Sequence, residues 1–184
     1  KDINIELHPE KIVGLFGANG AGKSTCFHMI TGLITPSKGK IFINGEEVTY
    51  EPIHKRAQKG LSFLPQESSI FKGMTVGENI YSVLELNKSL NKQQRLTRFQ
   101  TLIERFQLEK VVDSTGGVVS GGERRRTEIA RAIANSPKYI LLDEPFAGID
   151  PLSIKEIQKL ITHIRDVDKV GVLITDHNVK ETLP

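Results

Sequence analysis

At 184 residues, with 38% hydrophobic and 26% charged residues, the chain has the size and composition of one soluble globular domain. Its net charge of +3 comes from basic residues mixed with acidic ones, which favours an ordinary surface over a nucleic-acid-binding one. A single cysteine, Cys26, excludes an internal disulfide bond, and no apolar run approaches the roughly 20 residues of a membrane span. The chain starts at Lys1 and stops at Pro184 shortly after a promising motif, so we expect both ends to be incomplete.

The N-terminal part of the chain predicts short strands on either side of one helix. Residues 3–7 alternate between apolar and polar side chains, which is typical of a half-exposed strand. Residues 12–16 are continuously apolar and predict a buried strand, followed by a glycine-rich loop and a helix that begins near Lys23. Residues 40–44 lie between two turns and predict another strand, so an antiparallel β layer is expected beside the glycine-rich loop.

The middle of the chain changes to helices and loops after a predicted helix over residues 52–59 and a strand over residues 61–64. Thr75 and Glu78 fit a capping box, which predicts a helix that continues to about residue 86. Apolar residues at spacings of three and four indicate a further amphipathic helix, namely Leu96, Phe99, Leu102, Ile103 and Phe106. This periodicity favours packing into the protein's own core, and the alternative is a groove for a helix of a partner.

The C-terminal part alternates helices with strands. Ser120 and Glu123 fit a second capping box, which predicts a helix to about residue 135. Residues 139–142 and 171–175 are continuous apolar runs that predict buried strands, and Asp150 followed by proline predicts the start of the helix between them. This alternation predicts an α/β fold with a parallel sheet that binds its ligand at the carboxyl edge.

The glycine-rich loop is the strongest functional signal in the sequence. It follows the pattern G-x-x-x-x-G-K-[ST] between a predicted strand and a predicted helix, which is the phosphate-binding P-loop in its required setting. Backbone N–H groups of the loop and the helix are expected to bind phosphate oxygens, with Lys23 at the β- and γ-phosphates and Ser24 on Mg²⁺. The residues expected to contact the nucleotide here are Gly17, Asn19, Gly20, Ala21, Gly22, Lys23, Ser24 and Thr25.

Polar residues that follow other predicted strands complete the expected site. Asp143 ends an apolar strand and is placed to hold Mg²⁺ opposite Ser24, while the adjacent Glu144 suits polarisation of a water that attacks the γ-phosphate. Gln66 also follows a strand and could sense Mg²⁺ or this water, and His177 could contact the γ-phosphate. A lone glutamine or histidine is usually a surface or packed residue, so only the positions of Gln66 and His177 after strands favour a functional role.

A second helix N-terminus, at Ser120, also offers free N–H groups to an anion. A capping box alone explains Ser120 and Glu123 but not Gly121 and Gly122, because glycine in a first turn weakens a helix. One nucleotide does not need two such sites within one chain. We therefore expect residues 120–122 to serve a nucleotide that is held by another copy of the chain.

These motifs, in their order and spacing, resemble those of the nucleotide-binding subunits of ABC transporters. The motifs are the P-loop, Gln66, SGGE at residues 120–123, LLDE at residues 141–144, Asp150 and His177. The resemblance implies a P-loop NTPase of the ABC ATPase type, with a RecA-like parallel sheet core, an antiparallel β layer and a helical subdomain. It also implies a head-to-tail homodimer with two ATP molecules at its interface, each between one P-loop and residues 120–122 of the other chain.

The same resemblance implies roles for single residues. By this resemblance Glu144 is expected to be the catalytic carboxylate and His177 the switch histidine. Gln66 is expected to couple the site to the membrane subunits, and Asp150 is expected to bridge the dimer. Ser24, Gln66 and Asp143 are the expected Mg²⁺ ligands. Two departures from the family pattern concern the site: Val119 replaces the usual leucine, and the aromatic residue that stacks on adenine in the family is expected before the first strand, outside the given sequence.

Within this family, four stretches resemble the ATPases of lipopolysaccharide exporters, namely residues 64–71, 120–131, 141–151 and 174–183. The expected function is ATP hydrolysis that powers lipopolysaccharide extraction, with ATP and Mg²⁺ as cofactors. A homodimer docked to transmembrane permease subunits, on the cytoplasmic face of the inner membrane, is expected to do this. Contact with nucleic acid or directly with the lipid is not expected.

The expected domain organisation is a single ABC ATPase domain over residues 1–184. Residues 1–65 and 136–184 form the core with the β layer, and residues 66–135 form the helical subdomain. Alternatives are an ATPase for branched-chain amino-acid import and a soluble ABC ATPase in DNA repair or translation, which usually has two cassettes or a long coiled-coil insertion. A P-loop GTPase would need an Asn-Lys-x-Asp motif, and the segments that begin at Asn87 and Asn91 lack its aspartate.

Overall fold

The computed structural model describes residues 3–176, in which strands and helices alternate around a central sheet. The elements are β1 (Ile12–Phe16), α1 (Lys23–Thr31), β2 (Phe42–Ile43), β3 (Glu46–Glu47), α2 (Ile53–Gln58), β4 (Leu61–Leu64), α3 (Val76–Glu85), α4 (Lys92–Arg105), α5 (Gly121–Ile133), β5 (Tyr139–Asp143), α6 (Pro151–Asp166) and β6 (Gly171–Asp176). A short 3₁₀ turn, Glu109–Val111, lies between α4 and α5.

The central sheet has four parallel strands in the order β1-β6-β5-β4. In the register, Leu141 of β5 lies between Phe63 of β4 and Leu173 of β6. Because all four strands run the same way, their carboxyl ends meet at one edge, and the residues that follow β1, β4 and β5 are brought together there. The predicted parallel sheet is confirmed.

Both faces of the central strands β5 and β6 are buried, as is typical of parallel strands covered by helices. Ile140 and Leu142 of β5 point into an apolar cluster with helices α3, α4, α5 and α6. Leu141, between them, points to the other face and packs with Phe27 of α1. The alternation along one strand thus fixes α1 on one side of the sheet and the other long helices on the opposite side.

Helices α3, α5 and α6 begin where the sequence predicts. Thr75 and Ser120 each form a capping box, and Asp150 accepts hydrogen bonds from two N–H groups at the start of α6. Most of the apolar stripe of α4 packs into the core of the protein, with Leu102, Ile103 and Phe106 buried and Leu96 37% exposed. Within residues 3–176, none of the helices has the length and apolar character needed to span a bilayer.

The antiparallel layer is smaller than the sequence predicts. Residues 3–7 form no strand, and the layer consists of the pair β2 and β3, each two residues long. Ile3 and Ile5 are 57% and 37% exposed, and of the three apolar residues only Leu7 packs against the core, so the alternating pattern does not reflect pairing with another strand. The prediction of a strand at residues 3–7 is therefore wrong.

Candidate nucleotide-binding site

The loop between β1 and α1 has the backbone geometry of an anion site. Gly20 and Gly22 have φ angles of 79° and 93°, a left-handed conformation that only glycine adopts at little cost. Helix α1 begins at Lys23 without a side-chain cap, and its first turn contains no acidic residue. The N–H groups and the positive end of the helix dipole are therefore directed at the loop, where an anion would be stabilised.

The side chain of Lys23 is held inside this loop. It is only 7% exposed, and its Nζ donates to the carbonyl oxygens of Gly17 at 2.8 Å and Ala18 at 3.2 Å. The same nitrogen lies 3.8 Å from Oε1 of Glu144. A buried ammonium that faces a carboxylate and loop carbonyls supplies a positive charge at a fixed position, as the P-loop motif predicts.

Glu144 occupies a strained position directly after β5. Its φ of 42° lies in the left-handed region, which is uncommon for a residue with a side chain. Its backbone N donates to Oγ1 of Thr175 at 3.0 Å and to the carbonyl of the same residue at 3.2 Å. Nε2 of Gln66 donates to Oε2 of Glu144 at 2.9 Å, so the carboxylate lies between Gln66 and Lys23.

Asp143 provides a second carboxylate beside Glu144. It is 2% exposed, and its Oδ1 accepts a hydrogen bond from the hydroxyl of Thr175. Over residues 3–176, no group of three or more histidine, cysteine or acidic side chains is arranged to hold a metal ion. A single carboxylate such as Asp143 with the hydroxyl of Ser24 still fits Mg²⁺, because this ion is commonly bound by one or two protein oxygens together with substrate phosphates and water.

A cavity of about 280 Å³ joins Lys23, Gln66 and Glu144 into one site, and Asp143 is not part of its lining. It is lined by Asn19, Gly20, Gly22, Lys23, Ser24, Thr25, Gln66 and Glu144. The structure thus brings together the P-loop with the glutamine and glutamate that follow β4 and β5. Residues 120–122 and Asp150 are not part of this lining, and His177 lies outside the described residues.

Packing at the N-terminus of α5 explains one of the two glycines that follow Ser120. A Cβ atom on Gly122 would lie 2.3 Å from Oγ of Ser153, so the close packing of α5 on α6 requires glycine there. A Cβ atom on Gly121 would meet nothing closer than 3.8 Å, so contacts within the described chain do not require glycine there. The hydrogen bonds from Ser120 lower the pKa of the Glu123 carboxyl, which stays ionised in the capping box.

Cys26 and Thr175 are two further residues near this site. The thiol of Cys26 is buried in α1, and burial raises its pKa, which disfavours the reactive thiolate. Thr175 was missed by the sequence analysis, although it orients both Asp143 and Glu144. Its only signal in the sequence is a hydroxyl within an otherwise apolar strand that ends near His177.

The fold and this cavity define a P-loop nucleotide-binding domain that hydrolyses ATP. The protein-family model described as ABC transporter matches residues 1–147. The chain belongs to the ABC transporter ATP-binding family.

Several curated relatives are similar to almost the whole chain. The lipopolysaccharide export system ATP-binding protein LptB of Haemophilus influenzae is 53% identical over 182 residues, which cover 99% of this chain and 75% of that protein. LptB of Escherichia coli K12 is 49% identical over 183 residues, covering 100% of this chain and 76% of the relative. A probable ABC transporter ATP-binding protein of Azorhizobium caulinodans is 48% identical, covering 100% of this chain and 64% of that protein.

Solved structures support the same fold. The dimeric ATP-binding cassette MJ0796, bound to ADP and Pi, superposes with a TM-score of 0.86 at 24% identity, covering 99% of this chain and 81% of that one. The cbiO1 subunit of an ABC transporter complex from Clostridium perfringens gives a TM-score of 0.84 at 26% identity. The match covers 96% of this chain and 70% of that one. The predicted ABC ATPase fold is confirmed.

Proposed function

We propose that this chain is the ATP-hydrolysing subunit of a lipopolysaccharide exporter. The observation that carries the hydrolytic part is the convergence of Lys23, Gln66 and Glu144 on one cavity at the carboxyl edge of the sheet. The identities of 53% and 49% to two LptB proteins support lipopolysaccharide export as the transport process that the chain drives.

The P-loop residues bind the triphosphate in this proposal. Backbone N–H groups of the loop and of α1 donate to phosphate oxygens, and Thr25 reaches the α-phosphate. The ammonium of Lys23, which now contacts the carbonyls of Gly17 and Ala18 and faces Glu144, transfers part of its bonding to the β- and γ-phosphates. Ser24, Asp143 and Gln66 are the residues that would hold Mg²⁺, and a bound Mg²⁺ would supply positive charge beside the phosphates.

Glu144 acts as the general base in this mechanism. Glu144 is 9% exposed and its carboxylate accepts a hydrogen bond from Gln66, so the carboxylate is placed to accept a proton from a water beside the γ-phosphate. The strained backbone keeps the side chain directed into the cavity, and the buried Thr175 holds that backbone in place. His177, two residues beyond Thr175, is proposed to contact the γ-phosphate.

The proposed assembly is a head-to-tail homodimer docked to transmembrane permease subunits at the cytoplasmic face of the inner membrane. Residues 120–122 and Asp150, which do not line the cavity of their own chain, are proposed to complete the site of the partner. The proposed helical subdomain is residues 66–135. This range contains helices α3, α4 and α5 and the short 3₁₀ turn, but none of the strands. Residues 1–65 and 136–184 form the proposed core.

The first test is the ATPase activity of Glu144→Gln, which retains the shape of the side chain and removes its basicity. We expect kcat to fall by about 10²-fold or more, because general-base catalysis contributes roughly that much, while ATP still binds. Glu85→Gln is the matched control, since Glu85 ends α3 away from the cavity. Near-normal turnover of Glu144→Gln would contradict the catalytic role.

The transport process requires a separate test. Purification of the tagged protein from detergent-solubilised membranes of its own bacterium should retain transmembrane subunits, which peptide mass spectrometry can identify. Depletion of the protein should then cause lipopolysaccharide to accumulate in the inner membrane. Recovery of permeases for branched-chain amino acids, or of a soluble DNA-repair or translation complex, would refute lipopolysaccharide export.

A further inference from the structure

Helix α5 carries a buried ion pair that the proposed mechanism does not use. Arg125 and Glu128 are 5% and 3% exposed, and Nη1 of Arg125 lies 3.1 Å from Oε2 of Glu128. Charged groups this deeply buried are costly unless their remaining polar atoms are also hydrogen-bonded. The other contacts of the two side chains therefore identify what the pair holds in place.

Glu128 binds the chain segment that follows Gln66. Its Oε1 accepts hydrogen bonds from Oγ of Ser68 at 2.7 Å and from the backbone N of Ser69 at 2.8 Å. It also accepts one from the backbone N of Ile70 at 3.1 Å. One carboxylate oxygen thus fixes three consecutive residues of the loop after β4, beginning two positions beyond the glutamine that contacts Glu144.

Arg125 binds backbone carbonyl groups next to Gln66 and Glu144. Its Nη1 donates to the carbonyl of Pro65 at 3.1 Å, which directly precedes Gln66. Its Nε donates to the carbonyl of Pro145 at 3.0 Å and its Nη2 to that of Asp143 at 3.3 Å. The guanidinium therefore connects the end of β4 to the residues on both sides of Glu144.

We propose that Glu128 is a positioning residue for ATP hydrolysis, because it holds the loop after β4 so that Gln66 stays bound to Glu144. This inference rests on the catalytic role proposed above for Glu144. Glu128 does not line the cavity, so the P-loop should bind ATP without it. Loss of the carboxylate is therefore expected to lower kcat and to leave the KM for ATP almost unchanged.

The test compares Glu128→Gln with Glu128→Asp in the ATPase assay of the complete protein. In Glu128→Gln an NH₂ group would face the N–H groups of Arg125, and the charge that holds the loop would be lost. We expect kcat to fall by about tenfold to a hundredfold, since small misplacements of catalytic groups have effects of that size. Glu128→Asp keeps the charge on a shorter side chain and should recover part of this loss.

A local readout separates positioning from general stability. Amide hydrogen exchange of Ser69 and Ile70 should become faster in Glu128→Gln, because both N–H groups lose the charge of their acceptor, while exchange in β5 stays slow. Asp168→Asn is the matched control, since it breaks the partly buried pair between Arg105 of α4 and Asp168, away from the cavity. It should leave kcat unchanged.

The outcomes distinguish this role from the proposed function. A fully active Glu144→Gln overturns the catalytic role itself, whereas an inactive Glu144→Gln beside a fully active Glu128→Gln overturns only the role of Glu128. If Glu128→Gln does not fold, Ser68→Ala decides the question, because Ser68 is exposed and loses only one hydrogen bond. We expect kcat of Ser68→Ala to fall by about twofold or more, and an unchanged value would overturn the proposal.

Discussion

At the scale of single residues, the site depends on one buried hydroxyl group. Thr175 is fully buried, and its Oγ1 donates to Oδ1 of Asp143 while accepting from the backbone N of Glu144. The hydroxyl therefore orients the carboxylate proposed to hold Mg²⁺ and the backbone that carries the proposed base. Loss of a group that orients a metal ligand typically lowers metal affinity or activity by about 10- to 100-fold.

Thr175→Val replaces this hydroxyl with a methyl group of similar size. We expect the Mg²⁺ concentration that gives half-maximal ATPase activity to rise by about tenfold or more, because Asp143 loses the group that orients it. The free energy of unfolding should also fall by about 1–3 kcal/mol, since buried polar atoms lose a partner. Magnesium titration of the ATPase rate and urea denaturation measure the two effects.

Thr162→Val is the control for Thr175→Val. Thr162 lies on α6, where its hydroxyl donates only to the backbone carbonyl of Gln158 at 3.0 Å. This substitution should leave the magnesium dependence of the ATPase rate unchanged. An equal shift in both variants would show that Thr175 acts through general stability and not through Asp143.

The sequence predicted site residues that carry a local signal. Lys23 belongs to a motif with fixed spacing, and Glu144 follows an apolar strand, so neighbouring residues were enough to find them. Thr175 and Glu128 were missed, because their partners are 32 and about 60 positions away in the chain. A hydroxyl in a strand or a glutamate in a helix has no distinguishing pattern until the fold brings its partners close.

At the scale of elements, a single buried arginine joins α1 to the chain that follows the β2–β3 pair. Arg56 of α2 is 1% exposed, and its Nη1 donates to the carbonyls of Met29 and Ile30 at 2.7 Å each, near the end of α1. Its Nε and Nη2 donate to the carbonyls of Glu51 at 2.8 Å and Thr49 at 2.9 Å. The bonds to Met29 and Ile30 help satisfy carbonyl groups at the end of α1, although the carbonyl of Met29 also accepts from the backbone N of Gly32.

Arg56→Met should destabilise the protein strongly. Several carbonyl groups would lose their donor in a place with little access to water, so we expect the free energy of unfolding to fall by about 3 kcal/mol or more. Urea denaturation of the purified protein measures this change. Lys55→Met on the same helix is the control, because Lys55 is exposed, and it should change stability by less than about 0.5 kcal/mol. A similar small effect for Arg56→Met would contradict the structural role.

The strands show what periodicity predicts and what it does not. The bounds of β1 and β4 agree with the sequence prediction, since each is a largely apolar run, with Ser62 the polar exception in β4, that a glycine or proline ends. Residues 3–7 have a suitable alternation but no neighbouring strand with which to pair. A strand requires hydrogen bonds to a partner, and the pattern of one segment does not contain that information.

At the scale of the whole molecule, one chain provides only one side of the proposed composite site. The P-loop, Gln66 and Glu144 share a cavity, whereas residues 120–122 begin a different helix whose glycine at position 121 is not required by packing. In a head-to-tail dimer these residues would reach the nucleotide of the partner. Isologous contacts of this kind create two equivalent sites, each built from both chains.

Mixing two inactive variants tests this arrangement. Lys23→Ala removes the P-loop charge, and Ser120→Arg blocks the N-terminus of α5, so each homodimer should be inactive. In a mixed dimer both substitutions fall in the same composite site, and the second site has wild-type residues. We therefore expect the mixture, after exchange of subunits, to regain ATPase activity well above that of either variant alone.

The matched control mixes Lys23→Ala with Glu144→Gln. Lys23 and Glu144 lie 3.8 Å apart within one chain, so they belong to the same half of the site. Each site of this mixed dimer therefore contains one defect, and no activity should return. Recovery in the control, or its absence in the mixture of Lys23→Ala with Ser120→Arg, would show that the nucleotide is not shared between two chains.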